Sequence, residues 1–343
     1  MKTLVLSAQE AKNLLYNPIY QQYWANPQKK NEQKVYFSLT PLSEIKHPSL
    51  LIKWLSSLRA ISLTVMLTPT IAVLIYGLQK KLVADHYAML TAVIIPCLLL
   101  LAVNLFNDVR DHVKLLDLPG SNGGSGVIQK GWLTPIQLRR GAIFLVMISL
   151  LLCLPILLKN LQLMIAVLLV TLIAVIGYSG RPFNLKYRAL GDLTVFLMCG
   201  PLLTSAYALA TFNYLDTSII LFGCLLGLMA NGILHANNLN DIKIDQQAGA
   251  KTIAILLGFE KSKVYMLLLY LAALLTAIIL SWLHSVYFLL PLLAAIYPAF
   301  QLLRKIFHAK SCDSAELADI RFVAPQIHLL TGILLCLAIF IFS

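Results

Sequence analysis

Long runs of apolar residues, separated by shorter polar segments, make up most of the chain. Each run has about 20 residues, the length that an α-helix needs to cross a bilayer. Strand-period alternation, which a transmembrane barrel needs, is absent. The pattern therefore predicts an all-α membrane protein. We predict nine transmembrane helices, at residues 58–78, 88–108, 139–158, 161–179, 190–212, 217–236, 263–283, 286–304 and 322–342.

The first 50 residues differ from the rest because they are polar and aromatic, and they include the stretch NPIYQQYWANPQ. Two interpretations stay open: an interfacial segment with Tyr and Trp at the lipid headgroups, or a poorly ordered tail. We expect no catalytic role and no cleavable signal peptide here, since the segment is too polar. The predicted organisation is an N-terminal cytoplasmic or interfacial segment, 1–54, followed by a transmembrane domain, 55–343.

Composition and charge support a membrane protein with a defined orientation. The 343 residues are 59% hydrophobic and 12% charged, and the net charge is +12. With a cytoplasmic N-terminus, 24 of the 27 Lys and Arg residues lie on the cytoplasmic side, and only Lys80, Lys81 and Lys159 lie opposite. The positive-inside rule predicts this orientation, with the lipid bilayer rather than nucleic acid as partner. The six cysteines have no CxxC spacing and are interpreted as small buried hydrophobes.

Two predicted helices end in similar polar sequences. The second ends in NLFNDVRDHVKLLD and the sixth in HANNLNDIKID, so that Asn107 precedes Asp111, and Asn237 precedes Asp241, by four residues each. An even number of crossings between them predicts that both lie on the cytoplasmic face, where the long polar connections also lie. The match suggests a repeat of two four-helix halves plus a ninth helix.

Residues four apart on a helix share a face, so each ending presents a cluster of oxygen ligands. The first cluster comprises Asn107, Asp108, Asp111 and Asp117, and the second comprises Asn237, Asn238, Asp241 and Asp245. Uncompensated carboxylates at the edge of low dielectric are costly unless cations bind them, and acids at a helix C-terminus oppose its dipole. Carboxylate and amide oxygens without nearby Cys or His suit Mg²⁺. We predict that the two clusters face each other and hold a diphosphate through Mg²⁺.

Basic residues on the same face are candidates for contacts with phosphate oxygens. These residues are Lys114, Arg181, Lys186, Arg188, Lys243 and Lys251. The alternative for each is a solvated loop charge that pairs with an acid or with anionic lipid.

Three further side chains have candidate roles. Tyr178 is a candidate for stabilising positive charge by a cation–π contact. Asp192 is a candidate for orienting a hydroxyl or accepting a proton, or else an acid favoured by the dipole at a helix start. His235 is interpreted as a satisfied polar residue in preference to a catalytic base.

These motifs resemble those of the UbiA superfamily of intramembrane prenyltransferases, over about residues 55–340. The first resembles Asn107-Asp108-x-x-Asp111-x5-Asp117, and the second Asn238-x-x-Asp241-x3-Asp245 continuing QQAGAKTIAILLG. The x5 spacing, and the stretches GGSGVIQKGWLTP and GYSGRPFNLKYRALGDLTVFLMCGPL, are similar to the 1,4-dihydroxy-2-naphthoate polyprenyltransferases. The chain departs from some relatives in LPGSNGG, which lacks basic residues, and in its first 50 residues.

The resemblance implies nine transmembrane helices around a central cavity with cytoplasmic cap loops, in a bacterial inner membrane. It implies Mg²⁺-dependent transfer of a polyprenyl group from polyprenyl diphosphate to an aromatic acceptor, 1,4-dihydroxy-2-naphthoate of menaquinone biosynthesis. The implied catalytic residues are Asp111, Asp241, Lys186, Asp192 and Tyr178. The implied metal ligands are Asn107, Asp111, Asp117, Asp241 and Asp245. The implied diphosphate-binding residues are Asn107, Asp108, Asp117, Asn237, Asn238, Lys114, Arg181 and Lys251.

Two other functions are compatible with the pattern. One is prenyl transfer to another acceptor, such as 4-hydroxybenzoate, haem or a lipid glycerol. The other is transport, since intramembrane acids often mark ion paths. Transporters, however, tend to place their sites near the midplane between broken helices. Here the acids lie at cytoplasmic helix ends and the predicted helices are unbroken.

Overall fold

The computed structural model describes residues 2–30, 34–118, 124–159, 161–180, 182–247 and 249–342. The strands are β1 (Lys2–Ser7), β2 (Ile19–Tyr20), β3 (Tyr23–Lys30) and β4 (Lys34–Pro41). The helices are α1 (Ala8–Tyr16), α2 (Leu50–Leu58), α3 (Thr64–Gln79), α4 (His86–Val113), α5 (Pro135–Lys159), α6 (Leu161–Gly177), α7 (Gly191–Met198), α8 (Pro201–Phe212), α9 (Thr217–Asn240), α10 (Ile242–Gln247), α11 (Ile253–Leu283), α12 (Leu290–His308) and α13 (Ile320–Phe342).

Eight helical segments in the described part of the chain are long and apolar enough to cross a membrane. They are Ala60–Gln79, His86–Val113, Pro135–Lys159, Gly191–Phe212, Thr217–Asn240, Ile253–Leu283, Val286–His308 and Ala315–Phe342. The prediction of a helical membrane protein is confirmed. The predicted span at 161–179 corresponds to α6, which has 17 residues, so the count of nine spans stays a prediction.

The chain divides into two compact units, one of residues 1–61 with 98–148 and one of residues 62–97 with 149–343. The first unit contains an antiparallel sheet in the order β1-β4-β3-β2. Val35, Phe37 and Leu39 alternate on the buried face of β4 and pack with residues of α1. A poorly ordered tail is therefore the wrong interpretation of this segment.

The missed sheet has a physical explanation. A strand of eight residues carries only three or four inward positions, and polar residues such as Lys34 and Thr40 bracket those of β4. Strand-period alternation of apolar and polar residues is present at 34–41, contrary to our expectation, but this stretch is short compared with the apolar runs of 20 residues. Helix α1 adds a local signal, because Ser7 and Glu10 form a reciprocal capping box at its start.

Besides the sheet and α1, the first unit contains α2, the end of α4, the start of α5 and the connection between α4 and α5. Trp24 of β3 packs in one core with Leu105 of α4, Ile128 of the connection and Leu138 of α5. Helix α5 begins at Pro135, where Thr134 and Pro135 form a local signal for a helix start. The Thr134 amide donates to Gln137 Oε1 at 2.8 Å, and the Gln137 amide donates to Thr134 Oγ1 at 3.2 Å. These bonds satisfy two amides that the first helical turn leaves free.

The second unit is built around α9, whose residues Phe222, Leu225 and Leu226 are fully buried. Helices α3, α11 and α13 contribute to the same core. Asp216 caps the start of α9 by accepting from the Ile219 amide at 3.1 Å. Packing on several sides explains why the α9 sequence is apolar all round. It also fixes the position of the polar residues at the C-terminal end of α9.

One predicted span is interrupted, contrary to our expectation of unbroken helices, and α11 is interrupted ahead of the predicted span 263–283. The span 190–212 consists of α7 and α8, with Gly200 between them. A Cβ at Gly200 would lie 2.6 Å from the Gly223 carbonyl oxygen and 2.8 Å from Gly227 Cα, so the break allows close approach to α9. Helix α11 is interrupted at Gly258, whose φ of 74° is left-handed. Apolar composition alone cannot reveal such breaks.

Candidate active site

The first acidic cluster lies in the last two turns of α4 and the turn that follows. Leu115 has a left-handed φ of 61°, and the Leu116 amide donates to the Asp111 carbonyl oxygen at 2.9 Å. The chain therefore reverses directly after α4. Asp108, Asp111 and Asp117 are all buried, at 2%, 8% and 6% exposure. Three buried carboxylates within ten residues are costly unless cations or hydrogen-bond donors accompany them.

Asp108 has such partners. The Arg59 guanidinium forms an ion pair with Asp108 Oδ1, and Arg59 Nη2 also lies 3.4 Å from the Asn104 carbonyl oxygen. The Ser125 amide donates to Asp108 Oδ2 at 3.2 Å, and the Ser125 hydroxyl donates to the same atom. The expectation of an uncompensated cluster is therefore wrong for Asp108, because an arginine 49 residues away in the sequence neutralises it.

Two observations test whether this cluster fits Mg²⁺. The Asn107 Oδ1 oxygen is buried and has no hydrogen-bond partner, an arrangement that a bound cation would relieve. A Cβ built at Gly124 would lie 2.9 Å from Asp117 Oδ2 and 3.4 Å from Asp108 Oδ1, so both carboxylates approach the same glycine. Amide and carboxylate oxygens are the ligands that Mg²⁺ prefers, and it usually takes only one or two carboxylates. The residues therefore fit the ion.

Within the described ranges, no group of three or more His, Cys, Asp or Glu side chains is close enough to hold a metal ion. A site that uses Asn107 and one or two carboxylates needs no such group, because Mg²⁺ keeps open positions for water and phosphate oxygens. Lys114 lies one residue beyond α4, and its amide donates to the Arg110 carbonyl oxygen at 3.0 Å. This predicted phosphate-binding residue thus belongs to the same helix end.

The second acidic cluster continues α9 into α10. The Asp241 amide donates to the Asn237 carbonyl oxygen at 3.0 Å, and the Asp245 amide donates to the Asp241 carbonyl oxygen at 2.8 Å. Helical bonding therefore carries the i, i+4 spacing through the boundary, as predicted. Asn238 and Asp245 are buried, whereas Asn237 and Asp241 are half-buried. Arg321 Nη2 lies 3.8 Å from Asp241 Oδ1, so this cluster also has a basic neighbour.

The connection between α6 and α7 contacts the segment that follows the second cluster. The Lys186 amide donates to the Tyr178 carbonyl oxygen at 2.8 Å, and the Lys251 amide donates to the Tyr187 carbonyl oxygen at 3.2 Å. A Cβ at Gly191 would lie 3.7 Å from the Tyr178 hydroxyl. The structure therefore brings together Tyr178, Lys186 and Lys251, which the sequence separates by up to 73 residues.

Asp192 lies in the first turn of α7 and is 3% exposed. Its Oδ1 atom has no hydrogen-bond partner and lies 3.7 Å from His235 Nδ1. His235 Nε2 donates to the Ser262 carbonyl oxygen at 3.0 Å, because that oxygen can only accept. The interpretation of His235 as a satisfied polar residue is thus correct for one ring nitrogen, while the other faces Asp192.

Some predicted residues are placed differently or lie outside this description. Lys243 is exposed, and its ammonium pairs with Asp313. Arg181 lies outside the described residues. Three partners of the clusters were not predicted, Arg59, Ser125 and Arg321, because none stands at a fixed spacing from the acid that it contacts. The first cluster belongs to the first unit and the second to the second unit, so their mutual arrangement stays a prediction.

The fold and these helix-end clusters define a polytopic helical membrane protein with oxygen-rich sites of the kind that bind a hard cation. The UbiA prenyltransferase family matches residues 66–324. The chain belongs to this family and is a prenyltransferase.

Relatives and solved structures agree with this assignment. A 1,4-dihydroxy-2-naphthoate octaprenyltransferase of Haemophilus influenzae is 33% identical over 267 residues, covering 74% of this chain and 84% of the relative. The enzyme of that name from Escherichia coli K12 is 30% identical, covering 71% and 81%. A solved structure of a UbiA homologue from Archaeoglobus fulgidus, bound to GPP and Mg²⁺, covers 84% of this chain and 99% of that one at a TM-score of 0.60. Its identity of 14% means that this likeness supports the fold alone.

Proposed function

We propose that this protein transfers a polyprenyl group from its diphosphate to 1,4-dihydroxy-2-naphthoate in a Mg²⁺-dependent reaction of menaquinone biosynthesis. The observation that carries the proposal is the likeness to two 1,4-dihydroxy-2-naphthoate octaprenyltransferases over more than 80% of their length. The Asp111-x5-Asp117 spacing of the first motif supports the same branch of the family.

Both acidic clusters supply the metal ligands in this proposal: Asn107, Asp111, Asp117, Asp241 and Asp245. Mg²⁺, when bound, neutralises the diphosphate and polarises the departing oxygen. The partnerless Asn107 Oδ1 and the buried Asp111, Asp117 and Asp245 supply hard oxygens of the kind that Mg²⁺ prefers. Asp108, which Arg59 already neutralises, acts with Asn237 and Asn238 at the diphosphate.

Cationic and aromatic side chains assist departure of the leaving group. Lys114, Arg181, Lys186 and Lys251 bind phosphate oxygens as pyrophosphate takes the electron pair of the allylic C–O bond. The Tyr178 ring stabilises the positive charge that grows on the prenyl carbon by a cation–π contact. The apolar surroundings of the bilayer keep water from trapping this carbon.

The acceptor is oriented by Asp192, which accepts a hydrogen bond or a proton from one of the ring hydroxyls. Its partnerless Oδ1 is available for this role, with His235 beside it. The ring carbon that bears the carboxylate attacks the prenyl carbon. Carbon dioxide then leaves from that carbon, and its bonding electrons restore the aromatic ring. One diphosphate and one naphthoate thus give one prenylated naphthalenediol, one pyrophosphate and one CO₂.

Acceptor competition tests the proposal. Purified protein in detergent with Mg²⁺ and a polyprenyl diphosphate would be offered equal amounts of 1,4-dihydroxy-2-naphthoate and 4-hydroxybenzoate. Parallel reactions would contain haem or a glycerol lipid. The expected product mass is that of a prenylated naphthalenediol without its carboxylate, because a site that pairs with particular polar groups rejects an acceptor that lacks them. A product that keeps the carboxylate, or a preference for another acceptor, contradicts the proposal.

We also propose that the protein lies in the bacterial inner membrane with its N-terminus and both acidic clusters on the cytoplasmic side. The bias of 24 among 27 basic residues supports this orientation. In a Cys312→Ser background, Val83→Cys should react with a membrane-impermeant maleimide added to intact cells. Lys130→Cys and Gln247→Cys should react only after the cells are opened. The reverse pattern contradicts the orientation.

A further inference from the structure

The N-terminal sheet precedes the part of the chain that the UbiA family matches, which begins at residue 66. The sheet and α1 have their own core, which includes Leu14, Leu15, Val35 and Phe37. Leu115, two residues before Asp117, packs against that core. A folded element outside the family region thus contacts the turn between Asp111 and Asp117 of the first acidic cluster.

The connecting segment, residues 124–133, is attached on one side to the acidic residues. The Ser125 amide and hydroxyl both donate to Asp108. Gln129 Nε2 donates to the Asp117 carbonyl oxygen at 3.2 Å. These contacts bond the connecting segment to the Asp108 carboxylate and to the Asp117 backbone, and Gly124 lies beside the Asp117 carboxylate.

The same segment is attached on its other side to the N-terminal sheet. Trp24 Nε1 donates to the Ile128 carbonyl oxygen at 3.0 Å in a buried hydrogen bond. Asn26 Nδ2 donates to the Gln129 carbonyl oxygen at 2.9 Å. Gly131 has a positive φ of 71°, and a Cβ there would lie 3.3 Å from Trp24 Cδ2, so the indole also packs closely on this backbone. β3 therefore binds the backbone of the segment directly.

Three glycines in the segment, Gly124, Gly126 and Gly131, have positive φ. Glycine has more backbone freedom than other residues, so such a segment has a large conformational entropy unless bonds to its backbone restrict it. Trp24 and Asn26 supply such bonds. Because Ser125 bonds Asp108 and Gln129 bonds the Asp117 backbone, a restricted segment also restricts the positions of these two acids.

We propose that the N-terminal sheet is a positioning element for the first acidic cluster. Trp24 and Asn26 hold the connecting segment in the conformation that orients Asp108 and Asp117 toward a metal-bound diphosphate. The inference rests on the proposed function in its choice of ligand, but the mechanical link from the sheet to the acids does not depend on the reaction. Neither residue touches a reacting atom, so both are positioning residues.

Two substitutions test the link. Trp24→Phe keeps an aromatic ring in the core and removes the indole N–H, whereas Asn26→Asp is nearly isosteric and replaces the donor by an acceptor. Trp54→Phe is the matched control, because Trp54 packs in the same core but against Gly141 of α5. Thermal unfolding in detergent shows whether each variant folds. If Trp24→Phe does not fold, Asn26→Asp tests the link by itself.

Two measurements on the full-length protein are compared. Hydrogen exchange of the 124–133 and 105–118 peptides reports the link itself. Binding of Mn²⁺ with inorganic pyrophosphate, followed by electron paramagnetic resonance, reports ligand geometry independently of turnover. Both variants should exchange faster in both peptides and bind Mn²⁺–pyrophosphate about fivefold more weakly, since one hydrogen bond of ordinary strength is lost. At saturating Mg²⁺ their kcat should stay within about twofold, and the control should match the wild type.

Four results would contradict one of these claims. Faster exchange in 124–133 without faster exchange in 105–118 contradicts the link to the acids. Unchanged exchange in both peptides, or unchanged Mn²⁺–pyrophosphate binding by variants that exchange faster, contradicts the positioning role. Absence of Mn²⁺–pyrophosphate binding by the wild type contradicts the proposed metal site, and the exchange measurements then decide the link alone.

Discussion

The two acidic clusters have the same Asn-x3-Asp spacing, but different surroundings support them. In the first cluster the three carboxylates are buried, and Asp108 contacts two residues from other parts of the chain, Arg59 and Ser125. In the second, helical hydrogen bonds from Asn237 through Asp245 set the spacing. Asp241 is half-buried, and its basic neighbour Arg321 lies 3.8 Å away. The Asn-x3-Asp spacing is therefore helical in both clusters, and the clusters differ in the burial of their acids and in the tertiary contacts around them.

This difference predicts where each cluster is vulnerable. Loss of an oxygen ligand should damage either cluster equally, because the chemistry is the same. Loss of a neighbouring residue should damage the first cluster more, because a buried carboxylate without its partners retains its full desolvation cost. Three comparisons of matched variants test this asymmetry.

The largest expected effect is the loss of a ligand. Asp111→Ala and Asp241→Ala should each lower kcat by at least about a hundredfold, since each removes a charged ligand of the proposed Mg²⁺ site. The measurement is prenyl transfer by purified variants whose folding is checked by size-exclusion chromatography. Asp313→Ala removes an exposed acid that pairs with Lys243 and serves as the control. Near-normal turnover by either variant, or wild-type turnover undiminished by EDTA, contradicts the two-cluster account.

A smaller effect should separate the two arginines. Arg59→Gln leaves Asp108 buried at 2% exposure without its cation, and should lower the free energy of unfolding by about 2 kcal/mol. Arg321→Gln should lower it by less than about 1 kcal/mol, because the Asp241 side chain is 26% exposed and the pair is long. Thermal unfolding in detergent measures both. Arg59→Lys should recover part of the loss, and equal effects at the two positions would remove the asymmetry.

The smallest effect should distinguish two glycines with almost the same backbone conformation. Gly124 has a φ of 66° and Gly249 a φ of 71°, so alanine at either position has a similar backbone cost, about 1 kcal/mol. Only at Gly124 does the new Cβ meet a carboxylate, that of Asp117. Gly124→Ala should raise the Mg²⁺ concentration for half-maximal activity by about fivefold, through displacement of this ligand. Gly249→Ala should change this Mg²⁺ concentration by less than about twofold. Equal changes in the two variants would show that backbone strain, and not contact with Asp117, causes the effect.

The sequence was sufficient for the features that depend on local periodicity. Apolar runs predicted the spans, and the i, i+4 spacing predicted the continuous bonding from Asn237 to Asp245. The start of α5 followed from Thr134 and Pro135 because capping is a property of neighbouring residues.

The sequence was insufficient where the structure depends on distant contacts or on short patterns. The pairs Arg59–Asp108 and His235–Asp192 join residues that are 49 and 43 positions apart, and no sequence period marks them. The strands at 2–41 are short, and their few inward residues resemble an amphipathic tail. The break between α7 and α8 coincides with Gly200 and Pro201, a helix-breaking pair in the sequence, but the close packing of Gly200 on Gly223 and Gly227 becomes visible only when the helices are side by side.

The central claim is that the carboxylates of this chain support transfer of a prenyl group from a diphosphate to an aromatic ring. The most direct test is the stoichiometry of one reaction, measured on purified protein with polyprenyl diphosphate, 1,4-dihydroxy-2-naphthoate and Mg²⁺. The account predicts equal amounts of pyrophosphate, CO₂ and prenylated product, and none of the three when EDTA replaces Mg²⁺. Pyrophosphate released without prenylated product, or product formed at full rate in EDTA, would contradict it.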